Sequence, residues 1–220
     1  MKNIEKIISA KTAQILLDKK CIEFSLKKKF QLTSGRKSIV YCDCRKLISF
    51  PVERNLLMNF ALKKLNLYKS LRLINNIAGG ESAGIPYASF ISQKLNLPLS
   101  YIRKEKKKFG KKSQIEGMIL PKDNVLLVED LMTDGGSKFN FIKAIQNENA
   151  KVKAIFVLFN YGINHKYLEY KGKKIRIISL TTWSDVVRII KKKKEFKNNE
   201  INEILKFLNS MNVKNLKFSP

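Results

Sequence analysis

Acidic residues are scarce in this chain of 220 residues: 18 Asp and Glu stand against 44 Lys and Arg, for a formal net charge of +26. Such an excess ordinarily points to a polyanionic partner. Arginine is scarce as well, at seven of those 44 cations. Nucleic-acid readers favour arginine where planar, bidentate contacts matter. The lysines are spread along the chain together with abundant Asn and Ile, the residues an AT-rich genome over-produces. The charge is therefore read as composition on solvated faces, including the lysines at 191–194, and a nucleic-acid partner is not expected.

Cysteine is limited to three residues, two of them at Cys42 and Cys44. An odd count excludes a disulfide framework, and the spacing lacks the second ligand pair of a zinc site. No apolar run approaches the roughly 18 residues of a membrane helix. The N-terminal stretch shows no apolar signal block. We expect a soluble, cytoplasmic protein from a reducing compartment, without a membrane partner. The single histidine, His165, and the single tryptophan, Trp183, read as structural. What remains is 44% hydrophobic and 28% charged, enough to bury a core.

The apolar residues are ordered. Residues 3–20 carry Ile4, Ile7, Ile8, Ile15 and Leu16 at helical spacing. Residues 30–33 and 39–42 flank a turn containing Gly35 and predict a hairpin. Pro51 opens a helical pattern through Leu65. From residue 71 short apolar runs alternate with helical patterns: strands over 71–78, 99–103, 125–128, 152–159 and 175–180, and helices over 87–95, 137–147 and the lysine-rich end. Residues 79–86 (GGESAGIP) and 129–136 read as loops, and 104–116 as a polar, basic segment. This alternation predicts an α/β fold with a central parallel sheet flanked by helices. Ligands in such sheets sit beyond the carboxyl ends of the strands, where the loops at 79–86 and 129–136 fall.

Chemistry concentrates at residues 125–137, VLLVEDLMTDGGS. Four apolar residues form a buried strand, and Glu129 and Asp130 follow. A small turn with Gly135 and Gly136 then opens a helix. Backbone N–H groups at a helix start suit a phosphate dianion, and Thr133 and Ser137 add hydroxyl donors. Acids repel phosphate but suit hydroxyls or developing positive charge nearby. A sugar phosphate is the simplest ligand that needs both.

This stretch resembles the phosphoribosyl pyrophosphate (PRPP) signature of type I phosphoribosyltransferases. Further segments narrow the resemblance to the orotate phosphoribosyltransferases. Residues 30–38 (FQLTSGRKS) look like the family's hairpin over the active site, and 41–46 (YCDCRK) follow where the family presents backbone to the pyrimidine. Residues 79–86 look like the pyrophosphate loop, and 101–110 (YIRKEKKKFG) like the strand end and mobile catalytic loop. The chain departs from the family at Asp134, usually a small residue, at Thr33 and Ala83, often Lys, and at Phe109, commonly His. An Arg that meets the orotate carboxylate in many members is absent near Asn160 and Tyr161; Arg36, Lys37 and Arg45 are candidate substitutes.

The resemblance implies a type I phosphoribosyltransferase-like fold with a small N-terminal hood. Residues 1–70 would hold the N-terminal helix, hood hairpin and second helix. Residues 71–220 would form the core with C-terminal helices, the whole being one integrated domain. It implies transfer of phosphoribosyl from PRPP to orotate, giving orotidine 5′-monophosphate in pyrimidine (UMP) biosynthesis. Lys107, Glu129 and Asp130 are the implied catalytic residues. PRPP would meet Arg103, Lys104, Lys107, Glu129, Asp130, Leu131, Met132, Thr133, Asp134, Gly135, Gly136 and Ser137. Orotate would meet Thr133, Tyr41 and Cys42. Mg2+ would be held mainly by PRPP oxygens, with no metal site of the chain's own, and a homodimer with shared active sites is implied. Two alternatives stay open: a phosphoribosyltransferase for another nucleobase, and a non-enzymatic PRPP-sensing regulator that binds nucleic acid.

Overall fold

The computed structural model describes residues 2–31, 35, 37–68, 72–106, 113–164, 166–193 and 195–216. The expectations for Thr33, Arg36, Lys107, Phe109, His165 and Lys194 lie outside the described residues.

The N-terminal segment forms α1 (Lys2–Asp18) and four short strands: β1 (Ile22–Phe24), β2 (Phe30–Gln31), β3 (Lys37–Ser38) and β4 (Val40–Cys42). A 3-10 turn over Cys44–Ser49, capped by the Asp43 side chain, leads into α2 (Pro51–Asn66). Proline suits the first turn of α2, whose N–H groups have no intrahelical acceptor. The expected hairpin is present in β2 and β3, with Phe30 opposite Ser38. Residues 39–42 do not form its second arm. β4 instead pairs antiparallel with β1, Ile22 opposite Cys42. This register turns Ile22, Val40 and Cys42 into the core. β1 is three residues long, too short to show a period.

The remainder runs β5 (Asn76–Gly80), α3 (Gly84–Leu95), β6 (Leu99–Ile102), β7 (Ile115–Glu116), β8 (Asn124–Met132), α4 (Gly136–Asn147), β9 (Lys151–Asn160), β10 (Tyr167–Tyr170), β11 (Lys173–Thr182), α5 (Trp183–Lys193) and α6 (Asn198–Ser210). Among the described residues, seven strands form one sheet in the order β10-β11-β9-β8-β5-β6-β7. The five inner strands are parallel, as expected. Both edges are antiparallel, which makes the sheet mixed: β10 pairs with β11 and β7 with β6.

Side chains alternate across a strand, and the inner strands bury both sets. Leu126, Val128, Ala154, Phe156, Leu158, Ile178 and Leu180 face a core shared with α1, α2, α3, α5 and α6. Val125, Leu127, Ile155, Val157 and Ile177 face the other, covered by Phe141, Ile142 and Ile145 of α4. Trp183, fully buried, meets Phe24, Phe159 and Tyr161 edge-on with ring centroids 5.0–6.2 Å apart. It packs, as its isolation in the sequence suggests.

β8 continues through Glu129 and Asp130 to Met132, so the acids lie in a strand, where a loop is the sequence expectation. Pairing to β9 carries it on, with Glu129 opposite Val157 and Leu131 opposite Phe159. Gly79 and Gly80 likewise end β5, and Gly84 already belongs to α3. The connecting turn is residues 81–83, with a cis peptide between Glu81 and Ser82.

Candidate active site

α3 follows β5 on one face of the sheet, and α4 follows neighbouring β8 on the other. The chain therefore diverges between β5 and β8, leaving a crevice at their carboxyl ends. A cleft of about 550 Å³ opens there. Glu129, Asp130 and Leu131 line it from β8, Ser137, Lys138, Asn140 and Phe141 from α4, and residues 81–83 from the turn after β5. Lys104 adds the end of β6, and Cys42 and Arg45 add the hood.

Glu129 and Asp130 are each at least 93% buried. Glu129 lies flat over the end of β5: a Cβ on Gly80 would stand 2.0 Å from its Oε1. Glycine leaves the room the carboxylate occupies. Its Oε2 is 3.4 Å from Lys138 Nζ, and both side chains are buried. Burial pushes the Glu129 carboxyl up to about 7; Lys138 pulls it down and the Asp130 charge pushes it further up. Asp130 accepts from the Leu131 N–H at 2.7 Å. Burial raises its pKa too, opposed by that N–H and by the Lys138 and Arg45 charges.

The turn before α4 is built around Gly135, whose φ of +91° opens the helix. Asp134 answers the question its charge poses for a phosphate cradle. Its Oδ1 accepts from the Gly136 N–H at 3.0 Å and from the Thr133 hydroxyl at 3.4 Å. Asn164 donates to its backbone oxygen. The carboxylate thus sits at the start of α4 and takes the Gly136 N–H that a phosphate would otherwise meet.

A second set of contacts ties the rim together. The Lys104 N–H donates to Glu81 Oε2 at 2.7 Å, and Asn140 Nδ2 donates to the Lys104 carbonyl at 2.6 Å. Three separate elements are thereby pinned around the cleft. Among the described residues, no group of three His, Cys, Asp or Glu stands close enough to hold a metal ion.

The family described as "Phosphoribosyl transferase domain" matches residues 62–192. An orotate phosphoribosyltransferase of Jannaschia sp. is 42% identical over 190 residues, covering 86% of this chain and 83% of the relative. That of Rhizobium rhizogenes is 40% identical over 191 residues, covering 86% and 82%. The chain belongs to the orotate phosphoribosyltransferase family. The structure of the orotate phosphoribosyltransferase from Aeropyrum pernix superposes with a TM-score of 0.66 at 27% identity, covering 84% of this chain and 99% of that one. UMP synthase of Leishmania donovani superposes with a TM-score of 0.75 at 26% identity. The match covers 91% of this chain but only 42% of that longer protein. Adenine phosphoribosyltransferase of the same organism shares the fold, with a TM-score of 0.58 at 18% identity.

Of the residues singled out in the sequence, Glu129, Asp130, Leu131, Ser137, Lys104 and Cys42 meet at the cleft. Thr133, Asp134, Gly135 and Gly136 form the turn beside it. Met132 points into the core below α4. Arg103 is turned towards Glu116, 3.7 Å away, and Tyr41 packs on Phe30. Neither side chain lines the cleft. Arg45, a candidate substitute cation, does line it, its Nε held 2.7 Å from Asp43 Oδ1. Lys138, Glu81 and Asn140 were not read from the sequence. The signal for Lys138 was present: a cation in the first turn of a helix opposes the helix dipole and needs a reason.

Proposed function

We propose that the chain transfers the phosphoribosyl group of PRPP to orotate, releasing pyrophosphate and forming orotidine 5′-monophosphate, in UMP biosynthesis. The observation that carries this reading is the pair of buried carboxylates, Glu129 and Asp130, in a cleft that ends at the N-terminus of α4. The geometry divides the donor between them. The 5′-phosphate takes the N–H groups of the turn at 133–137, displacing Asp134 from Gly136. The ribose hydroxyls take Glu129 and Asp130. Pyrophosphate lies towards residues 81–83, with Lys104 beside it.

Orotate N1 gives its proton to a pyrophosphate oxygen and bonds to the anomeric carbon as the bond to pyrophosphate breaks, and the bonding pair leaves with pyrophosphate. Positive charge develops on the ribose, and two fixed, buried carboxylates favour it. Mg2+ would be held mainly by PRPP oxygens and would supply charge that offsets that of the leaving group.

Lys107 and the segment around it close over the donor and exclude water, a role that rests on family resemblance. Arg103 joins them if it leaves Glu116. Tyr41 and Cys42 border the base. The arginine of many members is absent near Asn160 and Tyr161, and Tyr161 is buried against Phe159 and Trp183. Arg45 takes the orotate carboxylate in its stead. A homodimer with shared sites, implied by the resemblance, and a cytoplasmic location, expected from the sequence, complete the reading.

The test is pyrophosphate release with PRPP and each of orotate, uracil, adenine and hypoxanthine. Orotate alone is expected to support turnover. Turnover with another base only would move the chain to that base. No turnover, with tight sequence-selective nucleic-acid binding, would make it a regulator.

A further inference from the structure

Lys138 is an expensive residue for its place. It is 5% exposed, and burial disfavours an ammonium. It stands in the first turn of α4, where the helix dipole also disfavours positive charge. It borders the turn that must attract a phosphate, and its ammonium reaches Glu129 Oε2 at 3.4 Å and Ser137 Oγ at 3.2 Å. Among the described residues it is the only ion-pair partner of Glu129. We propose that Lys138 is a positioning residue for the transfer: it holds Glu129 as a carboxylate, laid across Gly80 and aimed at the ribose hydroxyls. This inference rests on the reading of the cleft as a PRPP site.

Gly80 of β5 and Phe141 of α4 wall the Glu129 carboxylate in without offering charge: a Cβ on Gly80 would meet both. Asp130, next along β8, adds a like charge. Arg45, Lys104 and Glu81 line the same cleft without an ion pair to Glu129. With Lys138 present, the carboxyl already sits at about 7 through burial. Without it, burial and Asp130 act unopposed, and Glu129 is protonated at neutral pH. A protonated acid carries no charge to favour the developing cation. Lysine at 138 is thus what lets an acid this deeply buried work as an anion.

The experiment is the pH dependence of kcat/KM for PRPP in the wild type, Lys138→Met and Lys138→Arg, and in Glu129→Gln with and without Lys138→Met. The acidic limb is expected to move up by about one unit or more in Lys138→Met. That is a roughly tenfold loss near neutrality that fades at higher pH, one unit being tenfold in protonation. Lys138→Arg restores the limb. In the Glu129→Gln background, Lys138→Met is expected to cost less than about threefold, because coupled residues are not additive. An unmoved limb, an even loss at every pH, or an equal cost in both backgrounds would overturn the proposal. If Lys138→Met does not fold, a 13C titration of Glu129 in the wild type with PRPP bound decides: an ionised carboxylate at neutral pH supports the proposal and a protonated one overturns it. The two readings fail separately. Absence of turnover with orotate counts against the base, and the profile then runs with whichever base turns over.

Discussion

Glu129 and Asp130 are neighbours in sequence but differ in what meets them. Glu129 has an ammonium within 3.4 Å, whereas Asp130 accepts from the Leu131 N–H at 2.7 Å. Burial raises the Asp130 pKa above its value in an unfolded chain. Ionising Asp130 therefore costs the fold its full penalty above the folded pKa, and the cost shrinks as pH falls below that value and is gone below the unfolded pKa. Asp130→Asn keeps the acceptor for Leu131 and removes the charge. Its melting temperature is expected to equal or exceed that of the wild type at about pH 8, with the difference shrinking towards about pH 4. Its kcat/KM for PRPP is expected to fall on the order of 100-fold, the loss of charge-assisted hydrogen bonds of about 1.5–3 kcal/mol each. Thermal melts and steady-state kinetics check both, and wild-type kinetics would remove the acid pair from the reaction. These acids were legible because the signature that carries them is contiguous. Glu81, Lys104 and Asn140 were not read as one group, because they meet only when three elements converge.

Strand ends were the hardest elements to read. Charge interrupts the apolar run at Glu129, yet β8 runs on to Met132 because β9 supplies a full ladder of partners. Tertiary pairing overrides local composition there. β10 and its hairpin to β11 were missed for a related reason. Tyr167–Tyr170 is four residues at a sheet edge, and only Leu168 of them is buried. Leu168 nonetheless bears on the site: a Cβ on Gly135 would lie 2.7 Å from its Cδ1 and 2.9 Å from Met132 Cε. Gly135 also holds a φ of +91°, which L side chains resist. Gly135→Ala is therefore expected to destabilise the protein by about 1–3 kcal/mol. It should also weaken binding of inorganic phosphate, because the turn that presents the N–H groups shifts. Urea unfolding and phosphate titration measure the two effects; a variant as stable as the wild type would contradict the described packing.

For the molecule as a whole, the inner parallel strands and the crevice between β5 and β8 follow from the alternation of short apolar runs with helices. The antiparallel edges do not, since β7 and β10 contribute two and four residues. The division of labour across the sheet was equally out of reach: five helices share one core and α4 alone covers the other. That asymmetry matters for function. It places the start of α4 and the turn after β5 on opposite sides of one crevice, with the two carboxylates of β8 between them. The most direct measurement is a crystal structure with PRPP bound. The account predicts the 5′-phosphate on the backbone N–H groups of residues 133–137, Asp134 displaced, and the ribose hydroxyls within hydrogen-bonding distance of Glu129 and Asp130. PRPP seated elsewhere, or phosphate and ribose reversed in the cleft, would contradict it.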